Sequence, residues 1–121
     1  MFTIQKTFSV SAAHSLGHLN YASPCKRAHG HNWKITVSCR ATKLDANGMV
    51  IDFSKLKKLI HGKMDHRYLP AVKGLEISTA ERIAFWILSQ INIKYRKNNS
   101  SPECYKVEVE ESEGSVATYE I

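Results

Sequence analysis

Two runs of strict alternation constrain this chain more than any other feature. Residues 2–13 place Phe2, Ile4, Phe8, Val10 and Ala12 on one face, and residues 31–41 do the same with Trp33, Ile35, Val37 and Cys39. Side chains alternate across a strand, so each run reads as a strand with one buried face. Both faces run on into histidine. His14 continues the parity of the first run, and His29 and His31 precede the second with its parity. Gly17 to Pro24 reads as a loop between them. An antiparallel pairing sets the end of the first strand beside the start of the second, and so gathers three imidazoles at one end of one face.

His-x-His on a strand points both rings the same way. With a third imidazole from the neighbouring strand, the set suits zinc. Three protein ligands leave a fourth position open, as in catalytic rather than structural sites. Gly30 weakens a plain strand and permits close backbone approach, which fits a site better. A lone histidine on an apolar face is more often a hydrogen-bonded core residue, but three with one shared parity point to a metal. His14, His29 and His31 are therefore the expected zinc ligands. His18 and His61 lack that context and read as surface residues. Cys25 lies four residues before His29 and beside Lys26 and Arg27. Nearby positive charge favours a thiolate, so Cys25 is a candidate acid, base or nucleophile. As a fourth ligand it would instead complete a purely structural site.

The length of 121 residues suits one domain spanning 1–121 with a single core. No run approaches the ~20 apolar residues of a membrane span. Met1 to Lys6 alternates like a strand and lacks a signal-peptide apolar region, which leads us to expect a cytoplasmic protein. The three cysteines are an odd number and suggest no disulfide framework. Cys39 reads as a small core residue and Cys104 as incidental. Net charge is +6, which suits nucleic acid or a polyanionic small substrate equally. A zinc-stabilised basic nucleic-acid module is thus the alternative from a different class. It lacks a Cys-Cys-His-His ligand set and a basic, aromatic-laced helix.

Asn47-Gly48 signals a turn, and Met49-Val50-Ile51 is a short extended run. Ser54 is placed to cap a helix carrying Leu56, Leu59, Ile60 and Met64. Ser78-Thr79-Ala80-Glu81 fits a capping box opening a second helix, with Ile83, Trp86, Ile87 and Ile91 as its buried stripe. Residues 103–111 alternate with Tyr105, Val107 and Val109 on one face, and 115–121 make a last strand after Gly114. The order ββααββ predicts an α+β fold, a four-stranded antiparallel sheet with two helices on one face.

Two acidic features remain. Asp65-His66 follows the first helix and is either a carboxylate that polarises an imidazole for acid–base work or a solvated helix end. Glu111 shares the parity of Val107 and Val109, so it is either a strand end in water or a carboxylate that needs a partner. A planar carboxylate can accept two hydrogen bonds from an amino-substituted heterocycle.

Cys25-x-x-x-His29-Gly30-His31 resembles the signature of the 6-pyruvoyltetrahydropterin synthase family, and more closely its 6-carboxytetrahydropterin synthase branch. Nearly the whole chain shares the resemblance. Ala12-Ala13-His14, Val50-Ile51-Asp52-Phe53, the block Met64 to Leu69, Ser78-Thr79-Ala80-Glu81 and Val109-Glu110-Glu111-Ser112 are similar to family segments in the same order. Ser78 stands where the family usually has proline and Ser112 where it has threonine. The resemblance implies the tunnelling fold and zinc on His14, His29 and His31. It implies catalytic roles for Cys25, Asp65 and His66, a pterin anchor at Glu111 and a pocket contact at Thr79. It further implies 7,8-dihydroneopterin triphosphate as substrate. It also implies trimers that stack into hexamers with sites between subunits, which would let a neighbour supply Asp65 and His66. Neither nucleic acid nor membrane is an implied partner.

Overall fold

The structure is a computed structural model describing residues 1–121. Strands β1 (Phe2–His14) and β2 (His29–Ala41) are followed by helices α1 (Phe53–Met64) and α2 (Ala80–Tyr95), then by β3 (Glu103–Ser112) and β4 (Ser115–Glu120). The strands form one antiparallel sheet in the order β1-β2-β3-β4. Both helices pack on one face of it. The predicted α+β architecture and its element order are therefore observed. No helix is long and apolar enough to cross a membrane.

The core lies between sheet and helices as one cluster. Val10, Trp33, Ile35 and Val37 fill it from the strands, Leu56, Ile60 and Met64 from α1, and Ile83, Ile87 and Ile91 from α2, all fully buried. Each such side chain stabilises by about 1.5–3 kcal/mol. The fold therefore has a hydrophobic basis separate from the histidines at its end.

Four local expectations are corrected. Asp52, not Ser54, caps α1. Its Oδ1 accepts from the Ser54 N–H at 2.8 Å and from the Ser54 hydroxyl at 2.8 Å. Thr79, not Ser78, caps α2, its hydroxyl accepting from the Arg82 N–H at 3.3 Å. Met49-Val50-Ile51 pairs with no strand; Val50 and Ile51 are buried in a bend. The register also shifts between Ser38 and Cys39, so Cys39 faces Cys104 rather than Tyr105. Cys104 is thus fully buried, a core residue and not an incidental one. The side-chain amide of Asn92 on α2 satisfies its backbone there, Oδ1 accepting from the Cys104 N–H at 2.8 Å and Nδ2 donating to the Cys104 carbonyl at 3.0 Å.

The link into α2 is pinned at Gly74. Its φ is +94°, and a Cβ there would lie 2.8 Å from Trp86 Cδ1. The Trp86 indole N–H donates to the Lys73 carbonyl at 3.1 Å, so the ring cannot easily move aside. Gly74→Ala combines left-handed strain with overpacking and is expected to cost on the order of 2–3 kcal/mol. Thermal denaturation should show a midpoint lowered by about 10 °C. An unchanged midpoint would mean that the loop relaxes freely.

Candidate metal centre

His14 closes β1 directly opposite His29, the first residue of β2, and Ala12 stands opposite His31. The pairing brings the three rings together with centroids 4.5, 5.2 and 4.9 Å apart. One ring nitrogen from each lies within 4.8 Å of the others. Trp33 floors the cluster, fully buried, with its ring 4.8 Å from His14 and 5.1 Å from His31. Its indole N–H donates to the Ala12 carbonyl at 3.2 Å, which fixes the ring.

Backbone carbonyls set the tautomers. His14 Nδ1 lies 2.8 Å from the Ser78 carbonyl, and His29 Nδ1 lies 2.7 Å from the Arg27 carbonyl. A carbonyl only accepts, so both Nδ1 atoms carry the proton and both Nε2 atoms present a lone pair. Such outer partners orient metal-bound histidines and raise their basicity. The Nε2 atoms of His14 and His31 are buried without any hydrogen-bond partner. A bare buried acceptor costs about 1–3 kcal/mol, and a cation among the lone pairs removes that cost. Burial holds the His14 imidazole below its ordinary pKa. The nearby His29 and His31 act in the same direction, while the Ser78 carbonyl and Glu111 oppose them. His14 is thereby kept in the neutral form a metal requires. The residues present fit a divalent ion that accepts imidazole ligands, zinc foremost. No Cys, Asp or Glu donor joins the cluster, so the purely structural site with Cys25 as fourth ligand gains no support.

The other expected site residues fall into two groups. Glu111 and Thr79 flank the histidines. Glu111 Oε1 is 3.6 Å from His31 Nε2, adjacent but beyond hydrogen-bond reach. Thr79 follows Ser78, whose carbonyl holds His14, and spends its hydroxyl on the helix cap. Cys25, Asp65 and His66 are joined to the histidines by no hydrogen bond or ion pair. Cys25 is exposed in a single 3₁₀ turn, Pro24–Lys26, with its N–H held by Ser23 Oγ at 3.1 Å. The Leu16 N–H donates to the Cys25 carbonyl at 2.7 Å, which ties that turn back to the end of β1.

Asp65 and His66 do touch, with Oδ2 and Nε2 3.5 Å apart. They sit against the open edge of β1. Asp65 Oδ1 accepts from the Ser11 N–H at 3.0 Å, the His66 N–H donates to the Ser11 carbonyl at 2.6 Å, and the Ala13 N–H donates to the Arg67 carbonyl at 3.0 Å. His66 has φ +57°, the only non-glycine residue with positive φ. Strain of this kind persists only where surrounding bonds enforce it. The Ser11 hydrogen bond holds the Asp65 carboxyl below its usual pKa, partial burial opposes, and the charges of His66, His61 and Lys57 add to the lowering. The His66 side chain is 82% exposed. His61, read from the sequence as a surface residue, is half-buried and engaged by the fold. Its ring lies between the Ser9 carbonyl and Asp65, an arrangement that the His61-x-x-x-Asp65 helical spacing could have signalled.

The chain matches the family model for 6-pyruvoyl tetrahydropterin synthase over residues 3–121. A 6-carboxy-5,6,7,8-tetrahydropterin synthase from Synechocystis is 37% identical, over 98% of this chain and 93% of the relative. One from Bacillus subtilis is 30% identical, over 98% of this chain and 84% of the relative. Among solved structures, the Caenorhabditis elegans 6-pyruvoyl tetrahydropterin synthase superposes with a TM-score of 0.77 at 32% identity, covering 99% of this chain and 95% of that one. Fold, histidine cluster and these similarities agree: the chain belongs to the 6-pyruvoyl tetrahydropterin synthase family.

Proposed function

We propose that the protein is a zinc-dependent 6-carboxy-5,6,7,8-tetrahydropterin synthase. Its substrate is 7,8-dihydroneopterin triphosphate, from which it releases acetaldehyde and triphosphate in the cytoplasm, toward a deazapurine such as queuosine. The convergence of three imidazole nitrogens, two of them buried without a partner, carries this assignment. The Synechocystis and Bacillus subtilis relatives, both named for the carboxy product, support it. Bound on His14, His29 and His31, zinc supplies Lewis acidity toward the hydroxyls of the substrate side chain.

The chain's own residues do the rest. Cys25 takes a proton from a side-chain carbon. Asp65 and His66 move protons to and from the side-chain oxygens. Glu111 accepts two hydrogen bonds from the pterin ring, and Thr79 lines that pocket. Cys25 reaches the substrate from its exposed turn. Asp65 and His66 act at the histidine cluster of a neighbouring copy, in a trimer or a hexamer. The His66 side chain is 82% exposed, which leaves it accessible to a neighbouring copy and supports that assembly.

Incubation of the zinc-loaded protein with 7,8-dihydroneopterin triphosphate tests the proposal. Mass analysis should find 6-carboxytetrahydropterin with acetaldehyde. The likeness to the nematode enzyme favours a second reading, synthesis of 6-pyruvoyltetrahydropterin without carbon–carbon cleavage, and the same assay separates the two. Neither product from the loaded protein would overturn both. Glu111→Gln tests the anchor. A hydrogen bond to a charged group contributes about 1.5–3 kcal/mol, so KM should rise roughly 10- to 100-fold with kcat little changed. An unchanged KM removes Glu111 from the pterin pocket.

A further inference from the structure

The last turn of α1 holds an imidazole with no part in the scheme above. His61 Nε2 lies 2.6 Å from the Ser9 carbonyl, so Nε2 carries a proton and donates it. The other ring nitrogen, Nδ1, faces Asp65 Oδ2 at 3.6 Å across one helical turn. That same oxygen faces His66 Nε2 at 3.5 Å. The second carboxylate oxygen is taken by the Ser11 N–H at 3.0 Å. Phe8 backs the His61 ring at 5.8 Å, tilted by 57°. The imidazole is thus anchored at one end on β1 and presents its other end to the carboxylate. Four polar groups of the β1 edge, from Ser9 to Ala13, are satisfied in sequence by residues 61–67. The segment that carries Asp65 and His66 is therefore registered on the strand edge, and His61 is the side chain that clamps its entry.

We propose that His61 is a positioning residue. Anchored on the Ser9 carbonyl, it holds the Asp65 carboxylate with Oδ2 turned toward His66. Oδ1 has a fixed donor in Ser11, which leaves rotation about the carboxylate's other contacts as the remaining freedom. At 3.6 Å the His61 ring is beyond hydrogen-bond reach of Oδ2 and limits that freedom by packing beside it, so that His66 meets one orientation of its partner. This inference rests on the reading that Asp65 and His66 carry proton transfer, although the clamp is also observable without turnover.

The test uses the intact, zinc-loaded protein and its His61→Ala and His61→Gln variants. Misplacement of a catalytic group by about 1 Å can cost ~10²-fold. His61→Ala should accordingly lower kcat by roughly ten- to a hundredfold. KM and zinc content should stay at wild-type values, and added imidazole should restore part of kcat. His61→Gln keeps an N–H donor for the Ser9 carbonyl and should lose less. Separately, NMR of the His66 ring should show its resonance in His61→Ala moved toward its position in Asp65→Asn. A kcat within twofold of wild type, or a His66 resonance left in place, overturns the proposal. So does a loss of kcat that imidazole does not rescue and that parallels a lowered thermal midpoint. If the wild type does not turn over the pterin but the His66 resonance moves as stated, the clamp stands and the functional reading fails.

Discussion

His29→Ala protein is expected to fold normally and to lose its metal, and with it all measurable turnover. His29 is the informative ligand because its surroundings tolerate the loss. It is half-buried at the open end of the sheet, and its Nδ1 partner, the Arg27 carbonyl, lies near solvent and can bond water instead. His14 is a poorer choice. It is fully buried, and its removal leaves the Ser78 carbonyl beside α2 without a donor, so folding and metal loss would be confounded. The magnitude follows from four-ligand zinc sites, which deliver about 10–16 kcal/mol in all, or about 2.5–4 kcal/mol per ligand. That corresponds to roughly two to three powers of ten in affinity. Metal analysis after dialysis should give near-stoichiometric zinc for wild type and little for the variant, with matching far-UV circular dichroism. Retention of a full equivalent by folded His29→Ala would show that the three histidines are not the binding site.

The histidine cluster was legible in the sequence for a simple reason. Parity is a property of the strand itself, and the pairing of β1 with β2 in sequence order needs no further information. His14 and His29 could meet once both ended apolar faces. Apart from the α1 cap, where Asp52 and Ser54 compete locally, the sites of failure share a different cause, a contact from elsewhere in the chain. Tyr105 and Cys104 are both acceptable core residues, so the alternation around them is ambiguous. The shift in register is settled by Asn92 on α2, whose amide takes over the backbone bonds of Cys104. Ser78 and Thr79 can both cap a helix. The demand of His14 for the Ser78 carbonyl goes with Thr79 as the cap. The placement of residues 61–68 on the β1 edge was equally hidden. Nothing local says which way a chain leaves a helix, and the bonds to Ser9, Ser11 and Ala13 span more than fifty residues.

Replacement of Cys25 by alanine should reduce turnover by about 10²–10⁴-fold, the range a positioned acid–base group contributes, while zinc content stays at the wild-type level. The structure makes this a clean experiment. The turn is held by its backbone, through Ser23 Oγ, the Leu16 N–H and the short 3₁₀ hydrogen bonds, and not by the thiol. Loss of an exposed sulfur atom therefore leaves the loop in place. Cys25→Ser extends the test, because a hydroxyl occupies nearly the same position but is a far weaker acid than a thiol of pKa near 8.5. If proton abstraction by the thiolate is the role, serine should be almost as inactive as alanine; if only a hydrogen bond is needed, serine should recover most of the rate. Metal analysis of the same variants decides a separate question. A ligand to zinc would take the metal with it when removed, whereas a base beside the site would not. Near-normal turnover in Cys25→Ala removes the residue from the chemistry. Loss of zinc in that variant would instead make the centre a closed, structural one, and the open coordination on which the proposed reaction depends would be gone.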